Sequence, residues 1–390
     1  MQIVDVEAVP LSSSIPEEKQ HRTDLGTKVK SDAVLVFVTA DDGTTGVGAS
    51  LGQPRSIEAI VDESLAPLVE GENPHDTTRC WEKMYTGSRW PPSIERGYTQ
   101  PREGRRGLTL EAISGVDIAI HDLAAKLVGL PLYRYLGAAR HSIRAYASGG
   151  WAAGEAAKDE LGEYTDRGFE AVKMRVVGEE SSERFDIQAT VERVSAARDG
   201  VGDADLMIDA HGSLDVSTAI RLAERLQPFD ISWFEEPVSP DDHPGLATVR
   251  ESTTIPIATG EREFTRFDFR SLFDHDACDV AQPDIARAGG ITELRRIAAM
   301  ASARGVRVAP HAWGSGVLFA ASLHFALATQ NVHVLEVPQG HMPMLTELFD
   351  QEFEIEGGRV HPPERPGLGF TIRDDFADRF EYEPGPEYVF

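Results

Sequence analysis

Cysteine and lysine are scarce in this chain, and each scarcity excludes something. Only two cysteines occur in 390 residues, Cys80 and Cys278, too far apart in sequence to form a metal-binding pair. Unpaired thiols in a reducing compartment are the simpler expectation. Lysine supplies 7 of the 38 basic residues, leaving 31 arginines to carry the positive charge. Acids number 64, and a formal charge of −26 repels nucleic acids and anionic membranes as partners. No stretch reaches the roughly 18 consecutive apolar residues of a membrane span. The opening "MQIVDVEAVP" also lacks the basic and apolar regions of a secretory signal, so a cytoplasmic location is expected. Acid-rich, lysine-poor surfaces are a habit of halophile proteins, in which high salt screens self-repulsion. An ordinary acidic enzyme is the alternative, and salt-dependent stability separates the two.

The organisation is an α+β unit followed by strand–helix alternation. Residues 2–9 and 33–40 run apolar and β-branched, as strands do. Asp41-Asp42-Gly43 then turns the chain, so 33–50 reads as a hairpin. Helical patterns fill 55–69, 75–85 and 109–128. Two polar stretches without periodicity, 12–30 and 86–107, interrupt this unit, and the second carries Arg89, Arg96, Arg102, Arg105 and Arg106. From Ile143 onward, apolar strands are expected at 143–148, 171–177, 205–210, 231–235, 255–259, 279–282, 306–309 and 333–337, with helices between them. Eight such repeats imply a (β/α)8-type barrel. No glycine-rich dinucleotide fingerprint follows any strand, which argues against a doubly wound sheet. The expected domains are a capping unit over 1–140, a barrel over 141–338, and a segment over 339–390 that returns to the cap.

Three barrel strands end on acids at equal intervals: Asp209 in "DLMIDA", Glu235 in "ISWFEEP" and Glu261 in "IPIATGE", each 26 positions from the next. One acid at a strand end would be an ordinary loop or cap residue. Three in register repel one another unless a cation sits among them, and an all-oxygen set suits Mg²⁺. Active sites of such barrels form at these strand ends. The other ends supply Lys173 and Arg175 ("KMR"), His211, Asp284 ("QPDIARAGG"), His311 ("APHAWGSG") and Glu336 ("VLEVP"). Each alone has a duller reading, such as a barrel-mouth ion pair, a core histidine or a turn acid. Ionisable groups at nearly every strand end are costly to desolvate without partners, which favours a joint role.

These motifs, in this order and spacing, resemble the enolase superfamily, in its mandelate racemase group and most closely its acid-sugar dehydratases. The resemblance spans nearly the whole chain. It implies Mg²⁺ ligands at Asp209, Glu235 and Glu261, and a His311–Asp284 dyad in which the carboxylate orients the imidazole. It puts Lys173 near the substrate carboxylate and Glu336 on the enolate oxygen. It also implies a homo-oligomer, a dimer or an octamer. Mannonate-type dehydratases carry a histidine where His211 stands, which makes it a candidate second acid. One departure matters: racemases of the group use a second lysine as a base where this chain has Arg175. Guanidinium stays protonated at any working pH, so racemisation by two bases is disfavoured and elimination by one base remains.

The expected activity is a Mg²⁺-dependent hydro-lyase that converts an aldonate-type acid, gluconate-, xylonate- or mannonate-like, to a 2-keto-3-deoxy acid. An epimerase or cycloisomerase working through the same enolate is the runner-up, and a silent sugar-acid binder is the alternative from another class. In this family capping loops close the barrel mouth, so 12–30, 50–55 and 86–107 should set the sugar. His21, Arg22, Glu261 and Trp313 are candidate substrate contacts.

Overall fold

Long strand pairing builds the first unit. The computed structural model describes residues 1–23, 25–101, 106–176 and 185–390, so Arg102 and Arg105 of the arginine-rich stretch lie outside the described residues. Strand β1 (Ile3–Ser14) is followed by the short β2 (Arg22–Thr23) and β3 (Gly26–Lys28), then β4 (Lys30–Ala40) and β5 (Thr45–Ser50). β1 and β4 pair antiparallel from Ile3 opposite Ala40 to Ser14 opposite Lys30. That ladder carries β1 five residues beyond the stretch its alternation predicts, because β4 keeps supplying partners. The polar segment before β4 is not wholly irregular either: β2 and β3 pair within it. Helix Leu108–Leu127 lies on the β-sheet through Gly46, Gly48 and Gly115. A Cβ on Gly48 would meet the Gly115 carbonyl oxygen at 2.0 Å, so glycine is what permits the close approach.

Eight parallel strands follow: β6 (Ile143–Gly149), β7 (Ala171–Arg175), β8 (Asp205–Asp209), β9 (Ile231–Glu235), β10 (Ile257–Thr259), β11 (Val280–Ala281), β12 (Arg307–Val308) and β13 (Leu335–Pro338). Each pairs with its sequence neighbour from β6 to β12, and β13 returns to pair with β6. A single parallel bridge, Val308 to Val332, joins β12 to the chain entering β13 and completes the ring. All eight strands fall where the apolar runs predict them, and among the described residues seven helices lie between them. One inward residue on or beside each strand, among them Tyr146, Met207, Trp233 and Val280, fills the barrel interior. This packed layer forms the floor beneath the strand ends.

The tail does more than return to the cap. β14 (Glu354–Glu356) and β15 (Arg359–His361) form a hairpin whose second strand adds antiparallel to β6. Two short helices, Pro343–Thr346 and Phe376–Arg379, occur where the pattern shows none. The last strand, β16 (Tyr388–Val389), then pairs with β3. Among the described residues, no helix is long and apolar enough to cross a membrane.

Candidate active site

Parallel register sets the site's geometry. Arg175 on β7 stands opposite Asp209 on β8, and Asp209 stands opposite Glu235 on β9. Glu261 follows β10 after Gly260, whose φ of 130° and a would-be Cβ only 2.8 Å from the Phe269 ring exclude a larger residue. Side chains on a strand repeat every two residues, so Lys173 joins Arg175 on one face and Trp233 joins Glu235. His211 has a φ of 52°, and its N–H donates to Asp209 Oδ1 at 2.8 Å. That Asx-type turn swings the imidazole over the strand ends.

The floor is a dense ionic cluster. Lys173 Nζ lies 2.6 Å from Glu235, 3.1 Å from Glu336 and 3.8 Å from Asp209, and Arg175 Nη1 lies 3.0 Å from Asp209. Burial opposes the charge on Lys173, but Glu235, Glu336 and Asp209 raise its ammonium well above the ordinary range. Burial would raise Glu336, yet Lys173, His311 and the Ala312 N–H hold it down to about 2. Burial pushes Glu235 up, with Asp209, Glu261 and Glu336 adding to the effect and Lys173 opposing it.

Two imidazoles flank Glu261. His311 Nδ1 donates to Asp284 Oδ2 at 2.5 Å, which leaves Nε2 facing the cavity, 3.7 Å from Glu261 Oε2. His211 Nε2 lies 3.6 Å from the other oxygen, Glu261 Oε1. Burial alone would lower the His311 imidazole, but Glu261, Glu336 and Asp284 outweigh it and raise it to about 10. Glu261 is itself buried, yet His311, His211, Arg175 and Arg262 hold it well below the usual carboxylate range.

A cavity of about 870 Å³ opens above this floor and is lined by Arg175, His211, Glu261, His311 and Trp313. Lys173, Asp209, Glu235, Asp284 and Glu336 are buried beneath it. Of the cap residues singled out, His21 lines the cavity with its ring 4.5 Å from that of Trp151. Arg22 does not; it is exposed, because its neighbour on β2 takes the inward side. Loop residues 51–54 also line the cavity. No described residue of 86–107 does so: Arg106 pairs with Asp268, and Arg89 donates to the Pro101 carbonyl. The described part of that stretch reaches barrel helix Thr265–Asp274, through Arg106 to Asp268 and Thr99 to Arg266.

Some participants carried no recognised signal. Trp233 Nε1 and Gln282 Nε2 donate to Glu235 Oε2 at 3.1 and 2.7 Å. The period of two along "WFE" and "QPD" was the signal available for both. Whether these residues fit a metal is decided by charge and donor type. Asp209, Glu235 and Glu261 offer only oxygen, and the fully buried Glu236 beside them has no hydrogen-bond partner and is ion-paired to Arg262 at 3.3 Å. Buried carboxylates in excess of their cations suit a hard divalent ion. Among the described residues, however, no three acids or histidines converge as a ready-made cage, since Lys173 and Arg175 lie between the acids.

A capped (β/α)8 barrel with acids, a Lys/Arg pair and a His–Asp dyad on successive strand ends is the enolase superfamily architecture. The chain belongs to the mandelate racemase / muconate lactonizing enzyme family: its N-terminal domain model matches residues 6–137, and the enolase C-terminal domain-like model matches 156–376. An L-rhamnonate dehydratase of Saccharopolyspora erythraea is 35% identical over 98% of this chain and 93% of its own length. A D-galactarolactone cycloisomerase of Agrobacterium fabrum is 34% identical over 89% of this chain and 90% of its own. The crystal structure of an enolase superfamily member from Polaromonas sp. JS666 covers both chains completely, with a TM-score of 0.89 and 32% identity.

Proposed function

We propose that the protein is a Mg²⁺-dependent acid-sugar dehydratase that removes the proton α to a carboxylate and expels the 3-hydroxyl. One observation carries this reading: two histidines face one cavity from opposite oxygens of Glu261, while the β7 position that would supply a second base is Arg175. His311 is oriented by Asp284 to take the α-proton at Nε2. Lys173 lies where charge develops on the substrate carboxylate, its ammonium stabilising that charge while Glu336, 3.1 Å away, holds the ammonium in place. His211 is the proton donor to the departing hydroxyl, because elimination needs an acid as well as a base. Mg²⁺ held by Asp209, Glu235 and Glu261 would supply a Lewis acid to that carboxylate and neutralise acids that raise His311. Arg175 clamps the substrate as a fixed cation.

The dehydratase reading draws further support from the S. erythraea relative. A cycloisomerase would begin with the same proton abstraction, and the A. fabrum relative gives that alternative its standing. The test is to incubate a panel of acid sugars with enzyme and Mg²⁺, then follow 2-keto-3-deoxy acids and loss of water by mass. Product isomeric with substrate would instead support the cycloisomerase, and silence across the panel would sink both. His311→Asn should lower kcat by on the order of 10²- to 10⁴-fold while leaving the circular dichroism spectrum unchanged. A variant with turnover close to wild type would remove His311 from the base role.

A further inference from the structure

Lys28, the last residue of β3, is an unusual cation. It lines the same cavity as His311 and Arg175, and only 8% of its surface is exposed. The other lysines are either exposed, as Lys158 is, or matched to an acceptor. Lys30 has Asp32 at 2.9 Å, Lys83 has Glu72 at 2.7 Å, and Lys126 has Asp122 at 2.8 Å. Among the described residues, no acceptor lies within hydrogen-bond or ion-pair distance of Lys28 Nζ; the Tyr388 ring lies 5.6 Å away at the centroid, and Glu387 and Asp32 favour its charge from beyond contact.

The acids nearby are committed elsewhere. Asp32 Oδ1 accepts from Ser12 at 2.7 Å and Oδ2 from Lys30 at 2.9 Å. Glu387 Oε1 accepts the Asp32 N–H at 2.8 Å. Arg175 lies close enough to oppose the charge on Lys28 and is itself turned to Asp209. Two backbone ladders fix the side chain: Tyr388 pairs with Lys28 across β16, and the Lys28 N–H donates to the His21 carbonyl at 3.0 Å. An ammonium on a mostly buried side chain, held on a strand and facing the cavity with no protein acceptor in reach, is placed to receive one from a ligand. A neutral hydroxyl would satisfy one donor but bring no counter-charge into contact with the ammonium, which Glu387 and Asp32 favour only from a distance. A carboxylate satisfies both needs.

We propose that Lys28 is a specificity-determining residue that receives an anionic group at the end of the substrate remote from the reacting carbons, so that the preferred substrate is a sugar diacid rather than a monoacid with a neutral tail. The proposal deepens the dehydratase reading and rests on it for the position of the reacting end. The diacid spans the cavity, one carboxylate over the Lys173 and Glu261 floor and the other against Lys28 under the cap.

The test compares a hexarate panel with the matching hexonates, using wild type, Lys28→Met and Lys28→Arg with Mg²⁺ present. Wild type should favour the diacid in kcat/KM. Lys28→Met should lower that diacid-to-monoacid ratio by on the order of 10- to 100-fold, and Lys28→Arg should restore most of it. Trp151 and Trp313 line the cavity, so their fluorescence gives dissociation constants without turnover. If no acid sugar is turned over, the reaction assignment fails while the titration still decides the role of Lys28. A wild-type preference for diacid that Lys28→Met abolishes sustains the proposal. Equal affinity of wild type for both classes, or an equal loss for both in the variant, overturns it.

Discussion

Arg175 does two things with one guanidinium: it pairs with Asp209 at 3.0 Å and presents a cation to the cavity. Its failure to give up a proton limits the chemistry, and a lysine there would not be so limited, since a desolvated amine loses its proton far more readily. Arg175→Lys should therefore produce substrate epimerised at the α-carbon alongside product, whereas wild type should not. Chiral chromatography of recovered substrate checks this; epimer from both enzymes, or from neither, would count against Arg175 as the feature that restricts the reaction. The parity of side chains along each strand made most of the site legible in advance. Lys173, Asp209, Glu235 and Glu336 share the inward face because they sit at even spacings from interior residues. Arg22 lies off the cavity on the same principle: in a two-residue strand, adjacent residues face opposite ways, and His21 and Thr23 hold the inward positions. Lys28 escaped notice because nothing local marks it. Its burial depends on Tyr388, 360 positions away in sequence.

The helix Leu108–Leu127 joins the cap to the barrel through polar contacts as well as packing. Asp117 accepts the Thr292 N–H at 2.9 Å and its hydroxyl at 2.7 Å, so it caps the N-terminus of barrel helix Gly290–Ala303 from another element. Burial pushes Asp117 up to about 7, and burial likewise pushes its neighbour His121 down to about 3. The signs are opposite. A raised acid contributes stability that is complete below the unfolded value near 4 and is lost as pH rises through about 7. A lowered histidine contributes stability present above its unfolded value and lost as pH falls towards about 3. Asp117→Asn should flatten the stretch between about pH 4 and about pH 7, where wild type loses at most about 1.4 kcal/mol per pH unit. Urea midpoints measured at several pH values would show it, and parallel curves for the two proteins would contradict it. On β5, which packs against the same helix, Gly48→Ala would drive a methyl into the Gly115 carbonyl and should cost about 1–3 kcal/mol. A thermal midpoint within a degree or so of wild type would show that the sheet and helix can separate freely. The long elements were readable because each holds enough residues to show a period. β2, β3 and β16 were not, since a pair of residues has no period and their partners come from opposite ends of the chain.

At the scale of the molecule, a charge of −26 should make folding sensitive to ionic strength. Added potassium chloride is expected to raise the unfolding temperature, because screening weakens repulsion among like charges. An unchanged midpoint between dilute buffer and molar salt would make the composition a matter of taste rather than adaptation. The barrel and cap were both legible because alternation and meander patterns are written along contiguous sequence. Their joint cavity was not, since it depends on loops at 21–28, 51–54 and 382–388 meeting in space. That meeting has a consequence for how the protein comes into being. Chains emerge from the ribosome in order, and early regions begin folding first. The barrel strands, the dyad and the acids are all made before residues 382–388, so a nascent chain can hold its full set of reactive groups yet lack one wall of the chamber. A stall before residue 382 would leave the catalytic groups assembled in a chamber still open on one side.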